Sequence, residues 1–283
     1  MLQYLNVILK NLTGFKNRSG LDHYPFLIRY QIMPEPALAE TLEIPQAALQ
    51  KPIILPTFDE LACEDDIPME TEQHKLQMEL LIDTLRLWLA QFPNGYVGGN
   101  MFVHYLTASG HKEFKGPDVL VVLDAPKGVR DSWIVWKEGK GPDVVIELLS
   151  KSTAKKDKTT KKQVYQNQLF VKDYFWFDPK NPTDFAGFSL QHGIYQPISA
   201  DAQGRLICQT LGLKLTGWHG FYKMADTTWL RWETLEGVLL PTPEEAEQQR
   251  AEAERQRAET ERQRAERLAE KLRTLGINSE EIS

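Results

Sequence analysis

The sequence predicts an α/β or α+β fold built around one mixed β-sheet. Three observations support this. A long apolar run with helical period comes first, short apolar runs of strand length alternate with a second helical pattern, and an Ala/Glu/Arg-rich repeat ends the chain. The chain has 283 residues, of which 42% are hydrophobic and 25% charged. Such a chain can bury one sizeable domain with appendages.

Composition argues against several classes of protein. No apolar run reaches the roughly 18 residues that a membrane span needs. The first 20 residues lack the unbroken apolar stretch and small-residue cleavage site of a secretion signal. The net charge of −6 argues against a strongly basic nucleic-acid coat. The two cysteines, Cys63 and Cys208, show no metal-ligand spacing. We therefore expect a cytoplasmic protein without a membrane segment.

Three regions follow one another along the chain. Residues 1–50 are poorly patterned and form an N-terminal extension to which the sequence assigns no role. Residues 51–236 contain the patterns of the folded domain. Residues 241–283 carry a seven-residue repeat, "AEAERQR AETERQR AERLAEK", with an apolar seam only in its last two heptads. A stable coiled coil needs three or four such heptads. We therefore expect a coiled-coil-like, solvated helix at 241–283, through which the chain would form a homodimer or bind a partner protein.

The elements of the domain can be placed in order. "METEQHKLQMELLIDTLRLWLAQF" predicts a helix, and its His74, at the polar start, is typical of a capping or surface residue. Strand-like runs follow: "YVGGNMFVHYL", "DVLVVLD", "SWIVWKEG" and "DVVIELL". A helix over 152–169 then precedes the strands "DYFWFDP" and "GFSLQHGIYQPI" and the last run "WLRWETLEG". In the segment 124–141, Trp133 and Trp136 either pack in the core or offer stacking surfaces beside a site.

The tetrapeptide Gly-Pro-Asp-Val occurs twice, each time at the start of an apolar run. The first copy contributes Asp118 and the second Asp143, with Glu147 inside the second run. The second run is apolar on both faces, which predicts a central strand buried on both sides. A carboxylate buried there must form a salt bridge or bind a metal ion. A salt bridge to a lysine and a metal ligand both remain open for Glu147.

Asp118 and Glu147 converge if their strands are neighbours in the sheet. Two converging carboxylates suit Mg²⁺, with Mn²⁺ as the alternative. Asp143 lies about 13 Å from Glu147 along one strand, at about 3.3 Å per residue, and is better suited to forming the turn. Residues 151–162, "KSTAKKDKTTKK", hold six lysines and one aspartate. They form either a solvated helix start or a phosphate-facing patch.

The run "PDVVIELLSKSTAKKDKTTKKQVYQNQLFVKDYFWFDP" resembles the signature of the Uma-two family of endonucleases, a branch of the PD-(D/E)XK nuclease superfamily. Asp118, within Pro117-Asp118-Val119, matches the earlier aspartate of that family. The resemblance covers about 55–236 together with the tail, and leaves 1–50 unmatched. The matching residues of the run are Pro142, Asp143, Glu147, Ser150, Ser152, Thr153, Asp157, Lys161, Tyr165, Tyr174, Trp176, Asp178 and Pro179.

The resemblance implies a restriction-endonuclease-like core, with a central mixed sheet flanked by helices, and a Mg²⁺-dependent DNA endonuclease. It implies that Asp118 and Glu147 bind the metal. The superfamily places a lysine two residues after the glutamate, where this chain has Leu149, so the catalytic lysine is expected from the following helix. Lys161 fits, since it shares a helical stripe with Asp157 and Tyr165.

Further residues are assigned to the site with lower priority. Asp143, Asp157 and Tyr165 are secondary site candidates. Lys155, Lys156, Lys158 and Lys162 are candidates for contacting the DNA backbone. The alternative function is a catalytically inactive nuclease-fold protein that acts in DNA binding or in protein interaction through its helical tail.

Overall fold

The computed structural model describes residues 71–275. The extension expected at 1–50, residues 51–70 of the expected domain and the last eight residues lie outside the described range. The helices are α1 (Glu72–Leu89), α2 (Val135–Glu138), α3 (Ala154–Lys156), α4 (Lys162–Asn167) and α5 (Pro243–Thr274), with a π-helical segment, Asp157–Lys161, joining α3 to α4. The strands are β1 (Tyr96–Gly98), β2 (Val103–Leu106), β3 (Lys112–Lys115), β4 (Val119–Val122), β5 (Trp133–Ile134), β6 (Val144–Leu148), β7 (Asp173–Phe177), β8 (Phe185–Gln191), β9 (Ile194–Pro197), β10 (Leu206–Cys208), β11 (Leu213–Tyr222) and β12 (Ala225–Thr234).

A six-stranded mixed sheet forms the centre, in the order β1-β4-β6-β7-β8-β9. Strands β6 and β7 are parallel, and the remaining neighbours in this sheet are antiparallel. The parallel pair needs a crossover connection, which the helices α3 and α4 supply. All five residues of β6 are buried, as the two apolar faces of this strand predict. The predicted mixed α/β fold with a central mixed sheet is thereby confirmed.

Each face of the central sheet is covered by a hydrophobic cluster. On one face, Val144 and Ile146 of β6 pack with Leu81 and Leu85 of α1 and with the three-stranded sheet β10-β11-β12. On the other face, Val145 packs with residues of α4, β2 and β5. Alternate residues of β6 therefore point into different clusters, and Glu147 lies on the same side as Val145.

Two of the expected strands differ in the structure. The run "YVGGNMFVHYL" divides after Gly98, because β1 joins the central sheet whereas β2 pairs with β3 and β5 in a separate sheet. The run "SWIVWKEG" keeps only two strand residues before α2 begins at Val135. Trp133 is fully buried, and its indole donates to the carbonyl of Lys140. It packs in the core, one of its two expected roles.

The predicted C-terminal helix is confirmed as α5. A capping box between Thr242 and Glu245 begins it, and the buried Arg231 pairs with Glu245 at 2.6 Å. None of its residues is buried, and 32 residues extend about 48 Å at 1.5 Å per residue. Across the described range, no helix is long and apolar enough to span a membrane.

Candidate active site

Strands β4 and β6 place Asp118 beside Glu147. The register pairs Val119 with Ile146, so one further step puts Asp118, just before β4, opposite Glu147. The amide of Leu148 donates to Asp118 Oδ2 at 2.7 Å, which fixes the carboxylate across the strand pair. Glu147 is completely buried, whereas the Asp118 side chain keeps 23% of its exposure. The site thus opens to solvent at Asp118.

Lys161 reaches this carboxylate pair from the following helix. Its ammonium nitrogen lies 2.9 Å from Glu147 Oε2, 3.0 Å from Asp157 Oδ1 and 3.3 Å from the carbonyl oxygen of Gly116. The π segment widens the helix at this point, since the amide of Lys162 donates to the carbonyl of Asp157 five residues earlier. Such bulges are frequent at functional sites.

Two secondary candidates complete the surroundings of Glu147. The hydroxyl of Tyr165 donates to Glu147 Oε1 at 2.6 Å, so each oxygen of the buried carboxylate accepts one short hydrogen bond. Asp157 is 1% exposed. Its Oδ1 forms an ion pair with Lys161 Nζ at 3.0 Å but accepts no hydrogen bond within residues 71–275. Its Oδ2 has no hydrogen-bond partner among the described residues. Lys161 Nζ therefore contacts two carboxyl groups, those of Glu147 and Asp157, and Asp118 lies opposite Glu147 on the neighbouring strand.

The charges and burial of this cluster shift its titration. Burial raises the pKa of Glu147 to about 8, against the attraction of Lys161 and with the support of Asp118 and Asp157. Burial opposes the charge of Lys161, but Glu147, Asp157 and Asp118 together raise its pKa. Burial also raises the pKa of Tyr165 well above its usual range, so this hydroxyl is a neutral donor. Strongly shifted groups that cluster in this way are typical of catalytic sites.

Asp143 has a different environment at the opposite end of β6. It accepts from the amide of Leu123 at 2.7 Å and pairs with Lys140 at 2.7 Å and Lys172 at 2.9 Å. Although burial opposes it, these donors lower the pKa of Asp143. A satisfied, ionised carboxylate that ties the start of β6 to the end of β4 matches the turn role expected from the sequence. The structure does not bring Asp143 to the cluster around Glu147.

His74, expected to be a capping or surface residue, lies in the capped first turn of α1, and its side chain also contacts Asp118. Its Nε2 lies 3.0 Å from Asp118 Oδ1, and its side chain is 11% exposed. His74 is the third residue of α1, where its amide donates to the N-cap Thr71. No local signal in the sequence could have found this contact, because its partner is 44 residues away. Only the packing of α1 against the end of β4 creates it.

Gly99 is a second site residue that the sequence analysis missed. A Cβ atom on this residue would lie 2.1 Å from the carbonyl oxygen of Asp118 and 2.8 Å from Ile82 Cδ1. The neighbouring amide of Asn100 donates to the same carbonyl at 3.3 Å. The loop after β1 therefore holds the backbone of Asp118 by a close approach that only glycine permits. The Gly-Gly pair in "YVGGN" was a signal for such an approach.

Comparison with known proteins assigns the family. A family model with the description "Uma2: Putative restriction endonuclease" matches residues 64–216, more than half of the chain. The chain belongs to the Uma2 family. Among solved structures, it is similar to a putative nuclease belonging to DUF820 from Anabaena variabilis ATCC 29413, with 13% sequence identity and a TM-score of 0.39. That similarity covers 50% of this chain and 75% of the other. No curated protein matches the sequence.

The lysines of this Uma2 chain that were assigned to the DNA backbone fall into two groups. Lys155 and Lys156 are exposed on α3. Lys158 is ion-paired with Asp184, and Lys162 lies over the ring of Phe188, 3.2 Å from its centre. Lys155 and Lys156 are thus better placed than the other two to reach a phosphate from solvent.

The donor set of this Uma2 site fits a hard divalent cation. The three carboxyl groups of Asp118, Glu147 and Asp157 offer more oxygen donors than the single ammonium can satisfy, and Asp157 Oδ2 is a buried oxygen without a hydrogen bond. Within residues 71–275, no three His, Cys, Asp or Glu side chains are arranged to enclose an ion by themselves. Mg²⁺ is usually bound by one or two carboxylates, with water and substrate phosphate as the other ligands. Asp118 and Glu147 would hold the ion here.

Proposed function

We propose that this protein is a metal-dependent DNA endonuclease that hydrolyses phosphodiester bonds. The observation that carries the proposal is the convergence of Asp118, Glu147 and Lys161 at one end of β4 and β6, within 2.9 Å for the lysine and the glutamate. Membership of a family described as a restriction endonuclease supports a nucleic-acid substrate. The exposed Lys155 and Lys156 on α3 would contact the phosphates that flank the scissile bond.

In this reaction a water oxygen attacks phosphorus and gives up a proton, a new P–O bond forms, and the bond to the departing oxygen breaks as that oxygen gains a proton. Negative charge grows on the phosphoryl oxygens, and a preorganised donor that faces them stabilises the transition state. Lys161 suits this role, since neighbouring carboxylates raise its pKa and keep it protonated. Tyr165 and Leu148 orient Glu147 and Asp118 by hydrogen bonds at 2.6 Å and 2.7 Å.

Asp118 and Glu147 would hold Mg²⁺ or Mn²⁺, and the ion would supply Lewis acidity toward the phosphate and the attacking water. The chain prepares for this cation by gathering the carboxyl groups of Asp118, Glu147 and Asp157 near one ammonium. The buried and free Cys208 suits the reducing cytoplasm, where we place the protein.

The proposal is tested by incubating the purified chain with circular double-stranded DNA and with single-stranded DNA. Each substrate is assayed with Mg²⁺, with Mn²⁺ and with EDTA. We expect DNA cleavage that depends on the cation. It should be missing from a Glu147→Gln preparation made in parallel, which controls for contaminating nucleases. Cleavage of equal rate in both preparations would refute the assignment.

The exposure of α5 favours a second function, protein interaction. Arg231 is buried, stacks on Trp218 and pairs with Glu245, so the first turn of the helix is anchored to the domain. The remaining turns are exposed, and Leu268 and Leu275 present apolar surface near the end. A second copy of the chain or a partner protein would bind here. If no DNA is cleaved or bound but α5 retains a partner, this function replaces the first.

A further inference from the structure

The strongest feature outside the three expected catalytic residues is the contact between His74 and Asp118. An imidazole nitrogen lies 3.0 Å from the most exposed carboxylate of the site. This separation suits a hydrogen bond. It is also about the separation of two ligands at right angles on one ion, when each bond is about 2.1 Å. His74 is therefore placed either to form a hydrogen bond with Asp118 or to bind the same ion as Asp118.

The position of His74 is fixed by the anchoring of α1 on both sides of it. The amide of His74 is capped by Thr71, and the side chain of Gln73 donates to the carbonyl of Pro179. One turn later, the side chain of Gln77 exchanges two hydrogen bonds with the backbone of Leu230, at 2.8 Å and 2.9 Å. The first turns of α1 are thus tied to β12 and to the loop after β7. A side chain held in this way is preorganised for binding.

A second observation concerns the carboxyl groups next to this contact. Asp157, 1% exposed, has a carboxylate oxygen without a hydrogen-bond partner in the described part of the chain, and it lies in the cluster formed by Lys161 and Glu147. The carboxylates outnumber the ammonium groups in that cluster. Glu147 already accepts hydrogen bonds from Tyr165 and Lys161 on its two oxygens. Asp118, which is more exposed than Glu147, is the more accessible ligand, and His74 lies beside it.

We propose that His74 Nε2 is a metal ligand together with Asp118, and that the site therefore prefers a first-row transition ion, for which Mn²⁺ is the probe, over Mg²⁺. Oxygen-only donor sets suit Mg²⁺, Ca²⁺ and Mn²⁺, whereas an added imidazole nitrogen favours first-row transition ions over Mg²⁺. This inference rests on the proposed nuclease function and specifies its cation. The rival role for His74 is to orient Asp118 by a hydrogen bond without touching the ion.

The variant His74→Gln separates the two roles. Its amide N–H can still donate to Asp118, but it offers no ring nitrogen. The control His219→Gln removes an imidazole that is exposed and lies 4.0 Å from the exposed Asp226. Titration calorimetry with Mn²⁺ and with Mg²⁺ gives both affinities for each protein. Pulsed electron paramagnetic resonance of the Mn²⁺-loaded protein detects a directly bound ¹⁴N nucleus, independently of catalysis.

We expect the wild type to bind Mn²⁺ more tightly than Mg²⁺ and to show the ¹⁴N signal. His74→Gln should lose the signal and at least the roughly 10–100-fold in Mn²⁺ affinity that a supporting residue contributes, with a small change for Mg²⁺. His219→Gln should match the wild type. If Mn²⁺ binds to the wild type without a ¹⁴N signal, or does not bind, the inference is wrong, and this readout needs no folded variant.

The outcome is distinguishable from failure of the nuclease proposal. DNA cleavage by a protein that lacks the ¹⁴N signal would support the nuclease proposal and show that His74 is not a metal ligand. A ¹⁴N signal that His74→Gln abolishes, in a protein that cleaves no DNA, would establish the metal site and remove the nuclease.

Discussion

The substitution Lys161→Met tests the role of the displaced lysine, with Lys162→Met as its matched control one residue away. Lys161 Nζ contacts Glu147 at 2.9 Å and Asp157 at 3.0 Å, and its side chain is 12% exposed. Methionine keeps most of the apolar stem and removes the charge. Lys162 instead lies over the ring of Phe188, and burial lowers its pKa. The two substitutions therefore remove one positive charge each from very different surroundings.

The expected loss of stability follows from these contacts. Removing one partner of a buried ion pair typically costs about 3–5 kcal/mol, because the other charge is left unpaired. The pKa of Glu147 is already raised to about 8, so this carboxylate can take up a proton, and the lower end of the range applies. A loss of about 3 kcal/mol lowers Tm by roughly 6–12 °C in a domain of 150–250 residues. Removing the Lys162 cation–π contact costs only about 0.5–1 kcal/mol.

The catalytic effect is expected to exceed the structural one. Losing one preorganised donor costs roughly 10²–10³ in rate, so Lys161→Met should cleave DNA slowly at a temperature where it remains folded, with Mn²⁺ binding largely kept. Lys162→Met should stay within a few-fold of the wild type. Single-turnover cleavage and thermal melts of the same preparations measure both quantities. Equal, small effects on rate would show that the two lysines form only a solvated or DNA-contacting patch.

Four further predictions concern single features of the fold. The folded state raises the pKa of Glu147 from 4.5 to about 8, so the stability that this group contributes is full below pH 4.5 and is lost as the pH rises through 8; in EDTA, Glu147→Gln should melt with a weaker pH dependence than the wild type, and an identical pH slope would contradict the shift. Tyr165→Phe removes a 2.6 Å hydrogen bond to a buried carboxylate and should cost about 1.5–3 kcal/mol in denaturant unfolding; an unchanged midpoint would show that the bond contributes nothing. Gly99→Ala places a methyl group 2.1 Å from the carbonyl of Asp118 and should reduce metal binding by calorimetry, whereas the open Gly193→Ala should not; equal binding would mean that the loop yields. Deletion of residues 241–283 removes Glu245, the ion-pair partner of Arg231, but should otherwise leave a folded core and alter only self-association, measured by sedimentation. A large fall in Tm at low protein concentration would contradict this.

The sequence predicts the parts of the site that follow from local pattern. The two apolar faces of β6 predict that Glu147 is buried, and the first Gly-Pro-Asp-Val copy puts Asp118 at the start of a strand; that this strand pairs with β6 is known only from the structure. The family resemblance, supported by helical spacing, points to Lys161, although an α-helix was expected over this stretch and a π segment is found. The ion pair between Asp157 and Lys161 is a contact four residues apart, so it survives that difference.

The remaining features depend on contacts between distant segments, which periodicity cannot register. His74 meets Asp118 only because α1 packs on the face of the sheet that holds Val119. The segment at 133–138 has an apolar content that suits a strand or a helix, and pairing with β2 ends after His104, so α2 forms instead. In both places, tertiary packing decides between local alternatives of similar free energy.

The central claim is that the first Gly-Pro-Asp-Val copy, and not the second, supplies the catalytic aspartate. The most direct test compares the rate of metal-dependent DNA cleavage by Asp118→Asn and Asp143→Asn, with folding checked by thermal melts. Asp118 lies beside Glu147 on the neighbouring strand, whereas Asp143 is occupied by Lys140 and Lys172 at the other end. We expect Asp118→Asn to abolish cleavage and Asp143→Asn to retain substantial activity. An inactive Asp143→Asn beside an active Asp118→Asn, both folded, would contradict the account.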